Sequence, residues 1–299
     1  MVVSTAISHN FSVKTLHEIR SEPPKGATQQ IMNRVTSFVY GAVSYLLCLG
    51  IFLYLIGFLG NFGVPKSMDS PAQGSWQTAL LVDAGLLLLF SIQHSVMARP
   101  AFKRILTRFV PEVIERSTYV MASNLVMAFL FWQWRPIGGV IWNVDGDYGK
   151  VALYAGYAAG WLLVFTATFV INHFDLFGLR QVWLNLLNKP QTGLKFTTPV
   201  LYRIVRHPLY VGWLCVFWCT PSMTSSHLVF ALMTTAYILV AIQFEERDLM
   251  ARHPEYVEYR KQVPMIVPGL PKSVVIPQSA RKAAGYRVRS SSVSDGNAV

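Results

Sequence analysis

The residues best equipped for chemistry in this sequence fall into four clusters, each beside a long apolar stretch. The sharpest runs Arg206-His207-Pro208-Leu209-Tyr210-Val211-Gly212. Pro208 suits the first turn of a helix, where its missing N–H costs nothing. Arg206 and His207 then stand just before that helix, near its positive end. Such an end binds carboxylate or phosphate, and Arg206 adds a bidentate fork. Tyr210 follows about one turn along, bringing a hydroxyl and an aromatic face. The plainer alternative is a basic helix start touching lipid phosphate. Glu245 and Glu246 form the second cluster. Adjacent side chains on a helix point about 100° apart, so one carboxylate can face a pocket while the other pairs with a cation. The first could accept hydrogen bonds from ribose hydroxyls or an amino group. The plainer alternative is a pair balanced by Arg247 and Arg252. His94, within Ser91-Ile92-Gln93-His94-Ser95, and the group Asn172, His173 and Asp175 complete the set. Ionisable groups at membrane depth are costly and usually functional. Interfacial charges can be mere anchors, but histidine and paired glutamates anchor poorly.

The elements that must position these residues are apolar helices. Hydrophobic residues make up 53% of the 299-residue chain and charged residues only 14%, too few charges to cover a soluble core. A membrane-crossing helix needs about 20 mainly apolar residues. Blocks at roughly 35–60, 76–98, 117–134 and 150–171 meet that requirement. A fifth region, 208–244, is interrupted at Pro221–Ser226 and reads as a hairpin, a short helix over 208–221 and a longer one over 226–247. The expected fold is an all-α integral membrane protein of about six transmembrane helices, one of them short. With the N-terminus inside, the outer loops hold Lys66, Arg135 and Lys150, three of the 26 Lys and Arg residues. That asymmetry predicts both termini at the cytosolic face, where all four polar clusters then meet.

The net charge of +11 thus reflects membrane orientation, and no nucleic-acid-reading motif accompanies it. Cys48, Cys215 and Cys219 lie in apolar stretches, so they pack as small hydrophobes rather than forming disulfides or a metal site. Residues 1–33 read as a cytosolic tail without a cleavable signal. Residues 34–270 read as one transmembrane domain. Residues 271–299 are basic and serine-rich, either attracted loosely to anionic headgroups or serving as a solubilising tail. Asp83 shares a helix face with His94 but lies about 16 Å from it along the axis. It either lines a passage or pairs with a polar group structurally.

Three segments in order, Arg206-His207-Pro208-x-Tyr210-x-Gly212, Glu245-Glu246-x-x-Leu249 and Tyr256-x-x-Tyr259-x-x-x-Val263-Pro264, resemble the isoprenylcysteine carboxyl methyltransferase superfamily over residues 202–268. Gln93-His94-Ser95-x-Met97-Ala98 and the run Ile171–Val182 are similar to its NnrU-like branch, and within that to methanethiol S-methyltransferases. The resemblance implies S-adenosylmethionine bound at the cytosolic face. It places Arg206, His207, Tyr210, Glu245 or Glu246, and Tyr256 around that cofactor, and it implies a small thiol as methyl acceptor. Thiolate is the good nucleophile and a thiol titrates near pH 8.5. His94 or His173 could therefore take its proton, with Asp175 orienting one of them; a capped interfacial histidine is the plainer alternative for His94.

Besides the thiol, membrane lipid is the expected partner, with no obligate protein partner, no nucleic acid and no metal. The expected location is a bacterial inner membrane. Three other classes compete: an NADPH-dependent membrane reductase, a transporter or accessory protein of nitrogen-oxide metabolism, and a metal-dependent oxidase. The last is disfavoured because His94, His173, His207 and His253 include no i, i+4 pair.

Overall fold

The computed structural model describes residues 27–191, 200–252 and 254–269. Residues 1–26 and 270–299, which include most of both expected tails, lie outside the described residues, as do Lys195 and His253. The elements in order are α1 (Ala27–Gly60), α2 (Trp76–Ala98), α3 (Pro100–Leu106), α4 (Glu115–Gln133), β1 (Val140–Asn143), α5 (Asp147–Ile171), α6 (His173–Leu176), α7 (Leu179–Leu186), α8 (Val200–Ile204), α9 (Pro208–Trp218), β2 (Ser222–Thr224), α10 (Ser225–Arg252) and α11 (Glu255–Gln262). α1 therefore starts inside the segment expected to be tail.

The helix boundaries have local causes. Asn61, at φ 58°, ends α1 in a left-handed turn whose next N–H, that of Phe62, bonds back to Gly57 O at 3.1 Å. The Ser75 hydroxyl caps α2 by accepting from Thr78 N. Asn172, at φ 144°, breaks α5, and its side chain accepts from Asp175 N to start α6. Pro208 opens α9 from its first turn.

Four of these helices, α1, α2, α5 and α10, are long and apolar enough to cross a membrane. The other two expected spans fall short of that standard. α4 begins with Glu115 and Arg116 and carries Ser117, Ser123 and Asn124. α9 has only 11 residues, about 16 Å of helix. α1 packs on α4, α4 on α2, α2 on α10, α10 on α9 and α9 on α5, so the helices enclose a central space.

The contact between α5 and α9 runs through glycine. A Cβ built on Gly212 would meet Gly160 O and Val164 N at 2.9 Å; one built on Gly160 would meet Gly212 O and Val216 N at the same distance. Gly156 makes a similar approach to Cys219 Sγ. Small residues four apart let membrane helices touch backbone to backbone, and here they fix the short helix bearing Tyr210 against a long one.

The hairpin turn expected at Pro221–Ser226 is instead part of a small sheet. β2 pairs antiparallel with β1, with Asn143 opposite Ser222 and a bulge between Val140 and Trp142. Nearby, Asp69 accepts from Thr224 Oγ1 and from Asn61 Nδ2, and lies 3.6 Å from His227 Nδ1. Burial works against the Asp69 charge, but the His227 and Thr224 contacts outweigh it and hold the carboxyl below its ordinary range. Asp83 is fully buried and accepts the Arg135 N–H at 2.9 Å, so of its two expected roles the structure gives it the structural one. Phe58, Leu59, Met68, Leu130, Trp134 and Phe230 are buried at this same end. Dense packing there leaves the opposite end for the polar clusters.

Candidate functional site

The motif residues build outward from Glu246, which is 2% exposed. His207 Nε2 lies 3.1 Å from its Oε1, and the Tyr256 hydroxyl donates to the same oxygen at 3.3 Å. Arg260 Nε sits 3.0 Å from Oε2. Arg206 Nε is 3.2 Å from Oε1 but is not aligned as a hydrogen bond, so that contact is electrostatic. Burial and then the Glu246 charge push the Tyr256 phenol up from its ordinary value. The backbone completes the joint, because Arg206 N bonds to Pro264 O and His207 N to Met265 O. Four side chains from two segments, 206–207 and 256–260, thus close on one carboxylate. That geometry makes Glu246 a clamp.

Glu245 behaves differently, as its position on the helix requires. Its side chain is 46% exposed, and Oε2 accepts the Tyr210 hydroxyl at 3.0 Å. Its other oxygen has no partner among the described residues. Tyr210 also faces inward, onto a cavity of about 630 Å³ enclosed by α1, α2, α4, α5, α9 and α10. That volume lies in the range of about 300–1,000 Å³ typical of ligand pockets. Of the residues expected around a cofactor, only Tyr210 lines it.

His94 lines the same cavity. Its ring nitrogens lie 2.8 and 3.0 Å from the Tyr119 hydroxyl, and Nδ1 lies 3.4 Å from Ser123 Oγ. Phe90 stacks on the ring at 5.2 Å between centroids. Next to it Ser95 bonds to the Tyr237 hydroxyl at 3.1 Å, and Arg99 pairs with Asp248 at 3.0 Å, tying α2 to α10. Leu88 and Val240 line the cavity and are also more than half exposed on the outside of the bundle. Thus one wall of the cavity is also bundle surface.

His173 and Asp175 are not brought to His94. His173 is buried, with Nε2 bonded to the Tyr45 hydroxyl and Nδ1 to Thr168 Oγ1, both at 2.9 Å. Phe169 stacks on it at 4.2 Å, and burial holds the imidazole below its ordinary value. It borders a separate void of about 10 Å³. Thr168, Phe177, Cys48, Phe52 and Val164 line both spaces, so His173 stands behind the wall of the large cavity, hydrogen-bonded to it through Thr168. Asp175 was expected to orient a histidine; its carboxylate instead bonds Arg180 at 3.0 Å, because the α6 turn carries it away from the His173 ring. Among the described residues no group of three or more His, Cys, Asp or Glu side chains is arranged to hold a metal ion.

Sequence reasoning missed Tyr119, Ser123 and Arg116, which α4 contributes to the cavity, and also Arg260. Arg260 stood within a recognisable segment and could have been found there. The α4 residues carried no spacing signal relative to His94.

Residues 151–256 match the family model described as phospholipid methyltransferase. The chain is 54% identical over 246 residues to the methanethiol S-methyltransferase of Crocosphaera subtropica, covering 82% of this chain and 96% of that protein. It is 50% identical over 238 residues to the enzyme of the same name from Mycobacterium tuberculosis, covering 79% and 98%. It is also 31% identical to pig (Sus scrofa) nurim over 205 residues, covering 62% and 78%. No solved structure gives a significant match.

Proposed function

The chain belongs to the family of methanethiol S-methyltransferases, and from that premise we propose that it transfers a methyl group from S-adenosylmethionine to the sulfur of methanethiol, giving dimethyl sulfide. The observation that carries the reading is the single cavity lined by both Tyr210, from the motif segment, and His94, from the other half of the chain. Cofactor and acceptor chemistry are expected to meet there.

The residues fit the cofactor. Tyr210 lines the cavity and holds Glu245 beside it through its hydroxyl, and the second Glu245 oxygen, without a partner among the described residues, is available to ribose hydroxyls or an amino group. Arg206, His207, Glu246 and Tyr256 hold that edge rigid without facing the cavity. When bound, S-adenosylmethionine supplies a methyl group already activated on a sulfonium. The protein's own work is to align the acceptor, exclude water and take a proton.

His94 takes the thiol proton in this reading, and the Tyr119 hydroxyl holds its ring. His173 braces Thr168 in the wall, and Asp175 with Arg180 secures the turn beneath it. The apolar walls suit a small uncharged thiol, and thiolate meeting a cation loses charge, so a dry site does not oppose the reaction. We place the protein in a bacterial inner membrane as one domain of six membrane segments, α4 and α9 included. Both termini and the site face the cytosol, as the loop charges favour.

The reading is tested by supplying methanethiol and S-adenosylmethionine to purified protein and measuring headspace dimethyl sulfide, with parallel titrations of S-adenosylhomocysteine and NADPH. Product together with binding of S-adenosylhomocysteine alone is expected. Binding of NADPH instead, with no product, would overturn it.

A further inference from the structure

S-Adenosylmethionine carries a carboxylate on its methionine arm, and a carboxylate leaving water needs a cation. The basic groups of the motif segments are already committed. Arg206 and Arg260 both lie on Glu246, Arg206 also donates to Arg260 O at 3.3 Å, and His207 joins the same carboxylate. None of the three lines the cavity.

Arg116 does line it, and it is the one Lys or Arg among the described residues that does so. It lies in the first turn of α4, where the helix macrodipole disfavours a cation. Its neighbour Glu115 is turned toward Lys103, 3.3 Å away. No hydrogen bond or ion pair to the Arg116 guanidinium is found among the described residues. Arg116, Tyr119 and Tyr210 all line this one cavity. The guanidinium therefore borders the same space as Tyr210, whose hydroxyl holds Glu245. A half-buried cation on a cavity wall, with no counter-charge of its own, is poised for an anion from a ligand.

We infer that Arg116 takes the carboxylate of the methyl donor. This rests on the S-adenosylmethionine reading above and adds to it a residue from the half of the chain that lacks the motif segments. The donor is then held from two sides, with the nucleoside end at Glu245 and Tyr210 and the amino-acid end at α4. Since α4 also carries Tyr119, donor binding and the placement of His94 share one helix.

The experiment is a binding comparison. The wild-type protein, Arg116→Gln, Arg116→Lys and Arg260→Gln are each titrated calorimetrically with S-adenosylhomocysteine and with its decarboxylated counterpart. Thermal melts confirm that each is folded. Wild type is expected to prefer the carboxylated ligand by about 10- to 100-fold, as a hydrogen-bonded charge pair warrants. Arg116→Gln is expected to lose that preference while binding the decarboxylated ligand as wild type does; Arg116→Lys is expected to keep part of it. An unchanged preference in Arg116→Gln overturns the inference. So does loss of the preference in Arg260→Gln alone, which would put the carboxylate at the Glu246 clamp. Failure of wild type to bind either ligand defeats the underlying cofactor reading instead.

Discussion

Replacing Gly212 by alanine adds one methyl group where two helix backbones touch. The new Cβ would sit 2.9 Å from Gly160 O and from Val164 N, both backbone atoms that cannot rotate away. Reaching an ordinary contact of 3.4 Å requires α5 and α9 to part by about 0.5 Å, and a gap of about 0.5–1 Å forfeits a quarter to a half of each dispersion contact. With the strain of overpacking, the cost is about 1–3 kcal/mol. Tyr210 lies two residues away on α9, so activity should also fall, by about tenfold if a full 1 Å misplacement costs 100-fold. Stability is measurable by reversible denaturant titration in detergent, followed by tryptophan fluorescence. Gly160→Ala should behave alike, and the double variant should cost less than the sum, since helices already parted accept the second methyl more easily. Gly50 and Gly85 supply the contrast, because nothing lies within 4 Å of a Cβ at either. Alanine there should be neutral or stabilise by up to about 1 kcal/mol through helix propensity. If Gly212→Ala matched Gly85→Ala, the backbone contact would not be what sets α9.

The two neighbouring glutamates should separate cleanly. Glu246→Gln strands the buried Arg206 and should cost about 3 kcal/mol, seen as a lowered melting temperature. Glu245→Gln should leave stability within about 0.5 kcal/mol while weakening S-adenosylhomocysteine binding in calorimetry. His94→Ala should lower kcat by about 100-fold or more with S-adenosylhomocysteine affinity unchanged, and Tyr119→Phe should lower it less; full turnover in His94→Ala across pH would remove His94 as the base. The folded Asp69 carboxyl titrates below its unfolded value, so its stabilisation is present above about pH 4 and is lost as pH falls through the folded value. Asp69→Asn should therefore lower stability at neutral pH and flatten the acid limb of a melting-temperature profile.

Much of this architecture was legible because membrane helices announce themselves by apolar length. Expected spans at 76–98 and 150–171 meet α2 and α5 almost residue for residue. The β1–β2 pair was not legible, since strands of four and three residues with α5 to α9 between them leave no local periodicity. The hairpin turn was read from Pro221 and its serines, which is correct for the reversal of direction but silent about its distant partner. At the site, adjacency misled for Asp175: two residues from His173 in sequence, its carboxylate belongs to Arg180. Glu245 and Glu246 could be split in principle by the helical angle between them, but which one faces inward depends on Arg206, Arg260 and Tyr256 arriving from elsewhere. Tyr119 and Arg116 reach the cavity only because α4 packs on α2, a contact no motif encodes.

The most direct measurement follows the methyl group itself. Purified protein in detergent is given S-adenosylmethionine carrying a trideuterated methyl group together with unlabelled methanethiol, and the headspace is analysed by mass spectrometry. Dimethyl sulfide bearing one CD3 and one CH3 group, formed only with intact protein, is the expected result. Folded protein that binds S-adenosylhomocysteine yet releases no labelled dimethyl sulfide would contradict the proposed reaction.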